Sequence, residues 1–156
     1  MADPPPDEAT AYHEAGHAVL ALALGRPVHG VSVRPNRDHL GYCQFKKAVF
    51  RPSEDWLERE ILIALGGIAA EAIHTGTYAW DEAERDLDYV RDLAGQRAGD
   101  RKAERLERRL LNKAEHLLIK AGHWRAVELI AAELLRRGEV SGRAARHLFD
   151  EGVRGC

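Results

Sequence analysis

Cysteine is scarce in this 156-residue sequence, which has only Cys43 and Cys156. Two thiols make no disulfide framework, so a reducing compartment is expected. An excess of one charge is also missing. The 23 basic and 25 acidic residues leave a net charge of -2, which predicts no strong field toward nucleic acid or an acidic membrane. Long apolar runs are absent, since the longest ends at Gly25, short of the roughly 20 residues that cross a bilayer. No basic stretch followed by an apolar one opens the chain, so no signal peptide is expected. The remaining composition, 45% apolar and 31% charged, is ordinary for a globular protein. These absences predict one soluble, cytoplasmic domain over residues 1–156, with the proline-rich residues 1–7 as a flexible lead-in.

Against this plain background stands His13-Glu14-Ala15-Gly16-His17, near the front of an apolar stretch that predicts a helix over 8–24. Side chains four apart share a helix face, so His13 and His17 point the same way and can reach one metal ion. Glu14 comes close to that ion without lying on the ligand line. This is a metal-ligand pair plus one carboxylate able to take a proton from water made acidic by zinc. The pattern also arises by chance, as two polar residues turned to water. The flanking Ala18-Val-Leu-Ala-Leu-Ala-Leu24 is apolar nearly all round, which predicts a buried helix whose histidines need partners.

Asp7 suits the N-cap of this helix, and Gly25 with Pro27 ends it. Residues 28–33 alternate as a strand, 35–38 form a turn, and 40–45 read as the return strand. Two strands alone are marginal, so they must pack on helices or gain a third. Ser53 is expected to cap a second helix, with Leu57, Ile61, Ala64 and Ile68 as its apolar stripe. Extending that stripe reaches Glu71, and Gly66-Gly67 within it predict close approach of another helix. A third helix is expected from about Asp81, with Asp86 inside the row Ala83, Val90, Leu93. Two histidines leave zinc one protein ligand short of a catalytic set, and Asp86 or Glu71 is able to supply it. The helices expected over 100–121, 124–137 and 141–149 have ordinary core stripes. The mixed charges of the first of these suit a solvated face better than a nucleic-acid patch.

Ala11-Tyr-His-Glu-Ala-Gly-His-Ala-Val19, Val28 to Pro35, Leu40-Gly41-Tyr42, Gly66-Gly67-Ile-Ala-Ala-Glu71 and Glu82 to Leu87 together resemble the peptidase domain of the FtsH-type AAA zinc metalloproteases. The closing helices resemble that family more loosely. The resemblance implies a mainly α fold with a small β-sheet, zincin-like, holding one Zn2+. It implies His13, His17 and Asp86 as metal ligands, Glu14 as catalytic base and Glu71 as a support of the metal histidines. It places Leu40, Gly41 and Tyr42 at the edge where an extended peptide adds as a strand. The family's ATPase module and membrane helices have no counterpart in these residues.

The expected function is therefore an ATP-independent zinc metallopeptidase acting on peptides or unfolded protein. The rival readings are a zinc-bound interaction module without catalysis, and a peptidase subunit working with a separate ATPase. A homo-oligomer is left open. Glu14 favours the enzyme, because a structural zinc site needs no general base. Cys43 and His74 are conceivable fourth ligands, but read better as a core and a helix-end residue.

Overall fold

The computed structural model describes residues 7–35, 41–46 and 55–155. Helix α1, Glu8–Ala23, starts where the Asp7 carboxylate accepts a hydrogen bond from the Ala9 N–H at 3.0 Å. That pairs one of the donors every helix start leaves unmet. From Ala11 to Leu22 only Tyr12 escapes burial, so α1 is the central rod of the molecule. Helix α2, Trp56–Thr75, crosses it at two glycines. A Cβ on Gly16 would stand 2.3 Å from the Gly66 carbonyl oxygen, and one on Gly66 would stand 2.9 Å from that of Gly16. Each glycine costs a helix about 1 kcal/mol relative to alanine. Here the return is backbone contact between two buried helices.

Three further helices enclose this pair: α3, Glu84–Ala98; α4, Asp100–Leu118; and α5, Ala121–Arg137. Their inward rows, including Val90, Leu110, Ala114, Leu118, Ile130 and Leu134, join Leu20, Ile61, Leu65 and Ile68 in one apolar core. Each such large side chain contributes about 1.5–3 kcal/mol by leaving water. Trp124 and Leu129 lie half-buried at the margin, while Leu134 is fully buried. None of the described helices is long and apolar enough to cross a membrane.

A small antiparallel sheet covers one end. Strand β1, Val28–Ser32, lies between β2, Tyr42–Phe45, and β3, Glu139–Ser141. Val31 faces Cys43 on one side and Val140 on the other. Helix α6, Gly142–Arg154, follows directly, with Ser141 accepting from the Ala144 N–H at 3.0 Å. Its first residue must be small, since a Cβ on Gly142 would meet the Val28 carbonyl oxygen at 2.1 Å.

The expected mainly α fold with a small sheet is observed, with several local corrections. The third strand is only three residues long, too short for alternation to announce it. Helix α3 begins at Glu84 rather than near Asp81, because residues 80–83 form a turn first. Helix α5 starts at Ala121 rather than 124, so Gly122 lies in its first turn, where its missing side chain admits the Val153 backbone. Helix α4 accordingly ends at Leu118, and α6 runs past Phe149 to Arg154. The cap of α2 is Asp55, whose carboxylate accepts from the Glu58 N–H at 3.0 Å. Ser53, the turn residues 36–38, Leu40 and Cys156 lie outside the described residues.

Candidate metal centre

The spacing of α1 turns His13, Glu14 and His17 toward α2 and α3, and all three are more than nine-tenths buried. Helix α2 meets them with residues four apart, Ile63, Gly67 and Glu71, which share one face. His17 Nδ1 lies 2.8 Å from the Ile63 carbonyl oxygen, which can only accept, so this nitrogen carries the proton. His13 Nδ1 lies 3.0 Å from Glu71 Oε2 and donates to it in the same way. Both rings therefore turn a lone pair on Nε2 inward. The two Nε2 atoms meet a single oxygen, Asp86 Oδ2, at 2.9 and 3.0 Å. Asp86 comes from the first turn of α3.

Three electron-rich atoms so arranged repel one another unless a cation lies among them. A proton is the minimal solution. Burial opposes a charged His13, but Asp86 and Glu71 outweigh it and raise its pKa to about 10. His17 is raised as well, burial again being overcome by Asp86. Burial disfavours the Asp86 carboxylate, yet the two histidines hold its pKa far below the usual carboxylate range. A divalent metal is the fuller solution. Two imidazole nitrogens and one carboxylate oxygen are the ligand types and number of a catalytic zinc site. The Glu71 carboxylate and the Ile63 carbonyl behind the rings are the outer partners such histidines use. The donor set fits zinc.

Space at the centre depends on one glycine. A Cβ on Gly67 would stand 2.4 Å from His17 Nε2 and 2.5 Å from His13 Nε2. The Glu14 carboxylate lies within 4.8 Å of the two histidine ligand atoms. Two cavities, of about 270 and 280 Å³, open on either side and share Glu14, Gly41 and Asp86 in their walls. The first continues past the acidic side chains of Asp81, Glu82 and Glu84, and the second runs between Tyr42, Ile63 and Tyr89. Gly41 packs tightly here, since a Cβ on it would meet the Ser32 carbonyl oxygen at 2.8 Å and Glu14 Cγ at 3.2 Å.

A family model described as Peptidase family M41 matches residues 2–100. The chain belongs to peptidase family M41. His13, Glu14, His17, Glu71 and Asp86 all fall within the M41 match, as do Gly41 and Tyr42. Among curated relatives, the ATP-dependent zinc metalloprotease FtsH of Thermobaculum terrenum is 41% identical over 90 residues, 55% of this chain and 14% of that protein. The protein of the same name from Caldicellulosiruptor bescii is 36% identical over 91 residues, 54% of this chain and 15% of its own length. That of Syntrophotalea carbinolica is 40% identical over 89 residues, 54% of this chain and 14% of its own length. The chain thus spans about a seventh of the curated M41 relatives it matches.

Of the residues singled out in the sequence, His13, His17, Asp86, Glu71 and Glu14 come together, with Gly41 and Tyr42 beside them. Asp86, not Glu71, faces the paired Nε2 atoms, and Glu71 stands behind His13. His74 is elsewhere, stacked on Tyr12 at 3.7 Å and paired with Glu8 at 2.7 Å. Cys43 is half-buried in the second cavity wall, where burial and then Glu14 push its thiol pKa up. Arg26 and Glu60 also line that cavity and escaped sequence reading. Glu60 carried a signal, for 60, 64, 67 and 71 form one helical row that includes Gly67 and Glu71.

Proposed function

We propose that the chain is a zinc metallopeptidase that hydrolyses peptide bonds in flexible or unfolded polypeptide, with no nucleotide needed for the hydrolytic step. The convergence of His13 Nε2, His17 Nε2 and Asp86 Oδ2 beside the Glu14 carboxylate carries this reading. Membership of a peptidase family and the relatives' printed name, zinc metalloprotease, support it. His13, His17 and Asp86 would hold zinc, which when bound polarises the scissile carbonyl and lowers the pKa of water there to about 7.

Glu14 takes a proton from the attacking water as the water oxygen bonds to the carbonyl carbon. The same carboxyl returns that proton to the amine nitrogen as the C–N bond breaks. Glu71 and the Ile63 carbonyl keep the imidazoles in the tautomer that faces inward. Strand β2 has β1 as its one neighbour among the described residues, so its outer edge and the adjoining Gly41 offer backbone hydrogen bonds to an extended substrate. Leu40, the third residue of this proposed edge, lies outside the described residues.

The relatives' printed description as ATP-dependent favours a second reading, a peptidase unit served by an ATPase. Metal analysis with peptide-library cleavage, with and without ATP, separates the two. Glu14→Gln should keep zinc and the fold while losing about 10²–10⁴-fold in cleavage rate. Near-normal cleavage by this variant would remove the mechanism.

A further inference from the structure

We propose that Arg26 and Glu60 form a charge filter in the second cavity, admitting a large neutral side chain next to the scissile bond and rejecting charged ones. The inference rests on the peptidase reading and names the class of substrate for that same site. The cavity, about 280 Å³, opens on Glu14, His17 and Asp86, so a side chain entering it belongs to a residue adjoining the cleaved bond. Phe45, Ile63, Ala64 and Tyr89 supply the apolar part of its walls.

Set into these walls is an ion pair held from several sides. Gly25, at φ 84°, ends α1, and the Arg26 N–H bonds back to the Ala21 carbonyl at 2.7 Å, aiming the side chain off the helix end. Its guanidinium lies 4.6 Å over the Phe45 ring and donates to Glu60 Oε1. Glu60 is 3% exposed, on the same row of α2 as Gly67 and Glu71. Its other oxygen, Oε2, accepts no hydrogen bond among the described residues. Arg59, behind it and outside the cavity lining, brings Nε to 3.8 Å of that oxygen.

A pair so placed presents charge to the cavity but little net charge. A third charged group entering would compete for the partners of this pair, whose Glu60 is buried, and unpaired charge beside a buried ion is costly. A neutral aromatic or aliphatic side chain meets Phe45, Ile63, Tyr89 and the flat guanidinium at no such cost. Specificity here comes from rejection as much as from attraction.

Removing one member of the pair predicts reciprocal switches. Glu60→Gln leaves Arg26 uncompensated, so substrates with Asp or Glu at this position should gain about tenfold or more relative to Phe. Arg26→Gln leaves the Glu60 carboxylate with Arg59 at 3.8 Å as its remaining counter-charge, so Lys and Arg should gain, by a smaller factor. Arg26→Gln combined with Glu60→Gln should return the neutral preference. The experiment is zinc-loaded protein, folded by circular dichroism, offered a peptide library randomised on both sides of the scissile bond. A wild-type profile that favours neutral residues at one adjoining position, with opposite shifts in the two single variants, supports the filter. If one single variant fails to fold, the other with the double variant decides in the same way. Cleavage that keeps the wild-type profile in every folded variant overturns the filter and leaves the peptidase reading standing. A wild-type protein that binds zinc and cleaves nothing overturns both.

Discussion

Gly67→Ala isolates the centre with a single methyl group. The new carbon would stand 2.4 Å from His17 Nε2, 2.5 Å from His13 Nε2 and 2.6 Å from His13 Cδ2. Ordinary van der Waals contact requires each nitrogen to retreat by roughly an ångström, well beyond the ~0.2 Å latitude of metal–ligand distances. Neither ring is free to follow, since Glu71 and the Ile63 carbonyl hold the opposite nitrogens. Two terms oppose each other in stability. Alanine improves the helix by about 1 kcal/mol, while overpacking a filled interior costs about 1–3 kcal/mol. The fold should survive with a net loss of at most about 2 kcal/mol. Zinc affinity should fall by at least 10–100-fold, the usual cost of disturbing groups that orient metal ligands. Gly30→Ala is the control, because a Cβ there meets only the Val140 carbonyl oxygen at 3.7 Å. Competition against a chromogenic chelator reads the affinity, and thermal melts read the fold. Wild-type zinc affinity in a folded Gly67→Ala protein would refute the placement of the metal between these rings.

Asp86→Ala should weaken zinc binding far more than Glu71→Gln, because Asp86 faces both Nε2 atoms whereas Glu71 touches only the far side of His13; equal losses by metal analysis would reverse the assignment. The metal-free protein should lose thermal stability as pH rises from about 6.5 toward 10. The sign follows from a folded His13 pKa raised to about 10, whose stabilisation is complete below the unfolded value and disappears through the folded one. Zinc-loaded protein should lack this alkaline decline, since metal replaces the proton; coincident pH profiles with and without chelator would count against the site. Cleavage should also follow substrate unfolding rather than nucleotide. A stably folded substrate resists by up to its full ~5–15 kcal/mol, so rapid digestion of it by this chain alone would contradict the proposal.

The amino-acid sequence by itself determined the local half of this architecture. Four-residue spacing sets His13 and His17 on one helix face whatever surrounds them, and Asp7 and Ser141 cap helices by contacts within three residues. Gly66-Gly67 announced a close approach, and Glu71 and Asp86 stood out as carboxylates on apolar rows. Which of the two faces the metal nitrogens was decided only by tertiary structure. Their distances to His13 depend on how α2 and α3 lie across α1, over chain separations of 58 and 73 residues. The same holds for β3, which finds β1 from more than a hundred residues away, and for Arg26, which meets Glu60 only because α1 and α2 cross at Gly16 and Gly66. Periodicity records which side of an element a residue occupies. It carries no information on which other element will be packed there, because that depends on the summed burial of the whole chain.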